Sequence, residues 1–183
     1  MMVETAQQEG RVLRLCDGWR DEFEQRVRVL AEEHAALRNL CDRLERIADD
    51  LPRQPAAEER QAVIRDLQSL MGRHQQREDA FLSSLLRGQG STPLERGLLA
   101  RIRWHHAQDE MHARDLSCAL QAARPEGFPI GAEAMGYMLR CFFDGCRRAM
   151  AFEELAILVL ARQRLSGRAA GILIQSLGSL QEP

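Results

Sequence analysis

Six ionisable residues sit where helical spacing calls for apolar side chains: His34, His74, Glu78, His106, Asp109 and Glu153. A carboxylate buried without a partner is costly enough that it neutralises or finds a cation. Imidazole is a good ligand for iron, zinc, copper or nickel, and carboxylates bridge two ions and offset their charge. His74-x-x-x-Glu78 places both donor types on one helix face, one turn apart. A single such residue would be unremarkable, whereas this set needs a shared explanation, and a buried transition-metal site supplies one. Asp109 reads as an acceptor that fixes a histidine tautomer. No nucleophile–base pair or glycine-rich phosphate cradle accompanies them, so hydrolase and transferase chemistry have no support.

Four long helical patterns must position these groups. The first runs from about Asp21 to Asp49, with Val27, Leu30, His34, Leu37, Cys41 and Leu44 at spacings of three and four, and LPRQPA ends it. The second, Glu58 to Leu86, carries Val63, Leu67, Leu70, His74, Glu78, Phe81 and Leu85. It stops at GQGSTP, where Ser91 or Thr92 is the candidate cap of the next helix. The third, Leu94 to Ala123, turns Leu99, Ile102, His106, Asp109, Ala113, Leu116 and Leu120 inward, and RPEGFPIG follows. The fourth, Ala132 to Leu165, has Met135, Leu139, Phe142, Cys146, Ala149, Glu153, Ala156 and Leu160 on its seam. No stretch alternates with period two, so strands are not expected.

These patterns predict an all-α protein: an antiparallel up-down-up-down four-helix bundle over residues 21–165. Residues 1–20 form an N-terminal extension whose Val12, Leu13 and Leu15 could pack across a bundle end. Residues 166–183 form a short terminal helix or tail.

In an antiparallel hairpin, residues equidistant from the loop centre lie at one level. His34 and His74 have their midpoint at Gln54, and His74 and His106 at Gly90, each inside a loop. Reflecting His106 through Gly127 and Phe128 lands near Ala149. The same reflections bring Glu78 and Glu153 to the level of Ile102, about 6 Å along the axis from the histidines. A layer of imidazoles beside a layer of two carboxylates is the expected result.

Composition narrows the function classes. In 183 residues, 45% are hydrophobic and 28% charged, a globular mixture. Lys plus Arg number 25 against 27 Asp plus Glu, a net charge of -2, which argues against a nucleic-acid partner. RIRWHH (Arg101 to His106) therefore reads as a solvated basic face. The cysteines Cys16, Cys41, Cys118, Cys141 and Cys146 are odd in number and lack CxxC spacing. They read as reduced thiols of a cytoplasmic protein. The opening MMVETAQQEG has no apolar leader-like stretch, and the longest uncharged apolar run, Leu155 to Ala161, is too short to span a bilayer, so no membrane association is expected. That run exceeds what one stripe requires, and either meets the terminal helix or forms a homodimer interface. Met135, Met138 and Met150 read as core fillers.

The pattern resembles the hemerythrin and HHE cation-binding family. The resemblance is carried by Trp19-x-x-x-Phe23 leading to Glu32-Glu33-His34, by His74-x-x-x-Glu78, by a histidine in WHHAQDEMH, and by Phe152-Glu153-Glu154 before an apolar run. It implies a non-haem di-iron site with His34, His74 and a third-helix histidine as terminal ligands and Glu78 and Glu153 bridging. It also implies a role in oxygen or nitric oxide binding or sensing, or in iron handling. Three third-helix histidines compete. His106 fits the height argument best, a small register shift would favour His112, and His105 occupies the neighbouring face.

The sequence departs from the family at one position. The fourth helix normally offers His-x-x-x-Glu, and here Ala149 stands in the histidine's place. Solvent or Cys146 could fill the gap, or one metal could be missing. The alternatives to a di-iron site are therefore a mononuclear site, a metal-free structural or protein-interaction bundle, and a bundle holding a small organic ligand in its core.

Overall fold

The computed structural model describes residues 2–85, 92–161 and 165–178, with side chains from residue 21 onward. Five helices follow one another: α1 (Met2–Asp50), α2 (Ala57–Leu85), α3 (Pro93–Gln121), α4 (Ala132–Leu160) and α5 (Gly167–Gly178). The first four each pack on two neighbours in the cycle α1–α2–α3–α4, and α5 lies across α1 and α4. This is the four-helix bundle that the apolar stripes predict, with the terminal helix added. None of the helices is long and apolar enough to cross a membrane, among the described residues.

α1 starts well before the region of strong periodicity. Residues 2–20 contain no proline, so nothing in them stops the helix from extending backwards. The proposed packing of Val12, Leu13 and Leu15, and the side chains of Cys16 and Trp19, lie outside the described residues. So do Gly88, Gly90 and Ser91 of the second connection.

The helix boundaries have local causes. Thr92 caps α3: its hydroxyl accepts from the Glu95 amide at 3.2 Å, and Glu95 accepts from the Thr92 amide at 2.7 Å. Pro93 opens the first turn, where its missing N–H costs nothing. Gly131 precedes α4 at φ 83°, a left-handed conformation that a side chain would strain. The first and third connections meet where the Gln54 amide donates to the Arg124 carbonyl at 2.6 Å.

The apolar interior is split in two. One block includes Leu44, Leu67, Leu116, Leu139 and Phe142. The other includes Phe23, Val27, Phe81, Ile102, Ile157 and Leu173. Full burial of side chains this size stabilises by about 1.5–3 kcal/mol each. The second block contains Ala156, Ile157 and Ala161 of α4 together with Ala169 and Leu173 of α5, so the long apolar run meets the terminal helix. Leu155 and Val159 of the same run remain exposed.

Candidate metal centre

Between the two apolar blocks lies a buried polar layer. His34 comes from α1, His74 and Glu78 from α2, His106 from α3 and Glu153 from α4, and none is more than 7% exposed. The imidazoles of His34 and His74 are 4.9 Å apart between centroids, and those of His74 and His106 are 5.9 Å apart. The common level expected from reflection through the loops is thus observed.

The imidazoles point the same nitrogen at the same carboxylates. Oε2 of Glu153 lies 3.3 Å from His34 Nε2 and 3.5 Å from His74 Nε2. Oε1 of Glu153 lies 3.3 Å from His106 Nε2. Oε2 of Glu78 is 2.8 Å from His106 Nε2 and 3.5 Å from His74 Nε2. One donor atom each from His74, Glu78, His106 and Glu153 lie within 4.8 Å of one another. The arginines offer no competing explanation for the glutamates. Arg147 pairs with Asp42 and Glu45, and Arg103 with Asp79.

The outward nitrogen of His34 is held by Glu154, whereas that of His74 has Glu33 beside it without a hydrogen bond. His34 Nδ1 is 2.6 Å from Glu154 Oε1, which also accepts from Arg38 at 2.8 Å and from the Ser176 hydroxyl of α5 at 2.6 Å. Glu33 stands 3.5 Å from His74 Nδ1 and pairs on its other oxygen with Arg77. A carboxylate behind a histidine fixes the ring orientation and leaves the far nitrogen directed at the site. The adjacent pairs Glu33-His34 and Glu153-Glu154 were the available signal, since each sets a second ionisable residue beside a stripe position. Asp109 does not take the tautomer-fixing role expected of it, which falls to Glu154.

The charges follow from this packing. Burial works against imidazolium at His74 and His106, but the close Glu153 carboxylate, with Glu33 and Glu78 adding, raises them to about 10 and about 9. His34 is likewise raised by Glu153 and Glu154 against its burial. Burial opposes the charge on Glu153 as well, yet the imidazoles of His106, His34 and His74 around it hold it well below the usual carboxylate range. Glu78 is pushed up, first by burial and then by the neighbouring Glu153 charge.

Not every donor is satisfied by these pairings. His34 Nε2, Glu78 Oε1 and Glu153 Oε2 are buried without a hydrogen-bond partner. Unpaired buried polar atoms cost free energy, and here they belong to residues that face one another. A cation among them would satisfy all three, so the nitrogen and oxygen donors present fit a transition metal.

The other candidates fall outside this group. His105 packs edge-on against Phe152, with centroids 5.4 Å apart, and beside Trp104. His112 is half-buried, one face away from the four converging donors. Cys146 is buried against Cys41, whose thiol, with burial and nearby carboxylates, raises the Cys146 thiol well above its usual range. On the α1–α2 face, a cavity of about 310 Å³ reaches Glu78 and another of about 180 Å³ reaches His74, and Glu33 and Arg77 line both.

Comparison with known proteins agrees with this arrangement. No curated protein and no solved structure matches the chain significantly. The hemerythrin HHE cation binding domain matches residues 25–161, which include α2, α3, α4, α1 from residue 25 onward, and every residue of the polar layer. The chain belongs to the hemerythrin HHE cation-binding family.

Proposed function

We propose that this protein holds a non-haem iron site in the polar layer and uses it to bind or sense oxygen or nitric oxide, or to handle iron. His34, His74 and His106 would hold the metal through Nε2, with Glu78 and Glu153 chelating or bridging. The observation that carries the reading is the convergence of three Nε2 atoms on two buried carboxylates that keep unpaired oxygens. When bound, iron would supply an electron-rich centre able to take a diatomic ligand. The chain's own part is to orient His34 through Glu154, to set the Glu33 charge beside His74, and to wall the layer with apolar side chains on both sides. The cavities beside Glu78 and His74 are wide enough to admit a diatomic molecule.

Metal analysis of protein purified without chelator tests the reading. About two irons per chain supports a di-iron site, about one a mononuclear site, and none the metal-free interaction bundle that Ala149 would favour. His74→Ala is expected to bring metal content down to that of a blank, and unchanged content would overturn the ligand assignment. A change in the visible absorption of iron-loaded protein on adding oxygen or nitric oxide would separate a sensor from a store.

Glu154→Gln is expected to be milder. It removes the charge behind His34 while leaving the inner donors in place, so metal affinity should fall about 10–100-fold with helical content unchanged. Competition titration against a chelator measures this. An affinity equal to that of the parent protein would show that packing alone orients His34.

A further inference from the structure

Glu153 divides the imidazoles unevenly. Its Oε2 faces two of them, His34 and His74, whereas its Oε1 faces only His106. On the same side, the α4 residue one turn before Glu153 is the buried Ala149, whose methyl group offers no donor. An ion seated at Oε1 would therefore be short of protein ligands.

Asp109 is the buried carboxylate of α3. It follows His106 on α3 by three residues, roughly 4.5 Å along the axis, and is 6% exposed. Among the described residues it makes no hydrogen bond or ion pair. Its Oδ1 lies against Gly145 of α4, where an added Cβ would stand 3.8 Å away. Helical side chains lean toward the N-terminus of their own helix, so a rotation away from Gly145 turns the Asp109 carboxyl toward the level of His106. A donor at position 149 on antiparallel α4 would lean the opposite way and reach the same level. The groups acting electrostatically on Asp109 are Glu153, His106 and His74, and Asp109 in turn acts on Cys146 of α4. Burial, then the Glu153 charge, raises the Asp109 carboxyl to about 7. A nearby cation would relieve that cost.

We propose that Asp109 is a metal-binding residue: with His106, Glu78 and Oε1 of Glu153 it completes the donor set of a second ion on the α3–α4 side. The proposal rests on the metal reading above and adds to it the residue that makes a second ion possible despite Ala149. Cys146 lies at a similar height, but its thiol is turned to Cys41 and stays protonated.

The test is an anaerobic titration of metal-free protein with cobalt(II), followed by absorption and by metal analysis after gel filtration. The parent protein is expected to take up about two ions per chain, and Asp109→Ala about one. Asp109→Asn, which keeps the side-chain shape, should weaken the second ion at least tenfold. Adding Ala149→His to Asp109→Ala should restore the second ion, because the imidazole reaches the same level from α4. Two ions retained by both Asp109 variants would overturn the proposal while leaving the metal reading intact. Fewer than two ions in the parent would also overturn it, and none at all would remove the metal reading as well. A thiolate-to-cobalt charge-transfer band that disappears in Cys146→Ser would assign the position to the thiol and not to Asp109.

Discussion

Glu153→Ala is expected to abolish metal binding and to destabilise the metal-free protein by about 3–5 kcal/mol. Glu153 is the carboxylate that meets all three imidazoles, two through Oε2 and one through Oε1. It is 1% exposed, so no solvent replaces it when it is removed. Removing one partner of a buried ion pair leaves the other as an uncompensated charge, and here three histidines lose the same counter-charge. His34 keeps Glu154, but His74 and His106 must then share Glu78 or lose protons within the core. Glu153→Gln keeps the shape without the charge, and should lose metal with a smaller loss of stability. Urea denaturation in the presence of chelator, with metal analysis in its absence, measures both effects. Parent-like stability together with retained metal would contradict the central role of this carboxylate.

The second large effect is on pH dependence. His74 and His106 are raised from 6.5 to about 10 and about 9 in the folded protein. A raised pKa contributes stability that is fully present below the unfolded value and is lost as pH climbs through the folded one. Metal-free protein should therefore lose stability between about pH 6.5 and 10. Asp109, raised from 3.8 to about 7, contributes a separate decline below that window, between about pH 3.8 and 7. Glu153 acts in the opposite sense: its depressed pKa gives stability that is present above the usual carboxylate value and lost as pH falls through its folded value.

A metal reverses the slope, because imidazole binds it only when neutral. Loading at pH 7.5 should release at least two protons, one each from His74 and His106, with His34 adding to them. Denaturation curves with and without metal, and proton release in weak buffer, check this. A metal-free stability that stays flat from pH 7 to 10, with no protons released, would show that the imidazoles are neutral from the outset.

The site was legible from the sequence because it depends on two regularities, the helical period and the loop midpoints. His34, His74 and His106 were placed at one level by reflection alone, and their rings are within 6 Å of each other in sequence order along the layer. Glu154 was not legible in the same way. It lies one position off the seam, and it is buried because α5 covers it and Ser176 donates to it. Periodicity cannot predict which way a short terminal helix docks. The choice among the third-helix histidines was a question of register. His106 shares the inward face with Ile102, whereas His105 turns toward Phe152. The backward extension of α1 left little trace because a helix with few apolar positions gives a weak period.

The division of the greasy interior makes the molecule resemble two short bundles stacked end to end. The joint between them is an ionised slab whose cohesion depends on proton and cation supply, not on contact area. The half that carries α5 and the half that carries the first and third connections are coupled through that slab and through the four helices that cross it unbroken.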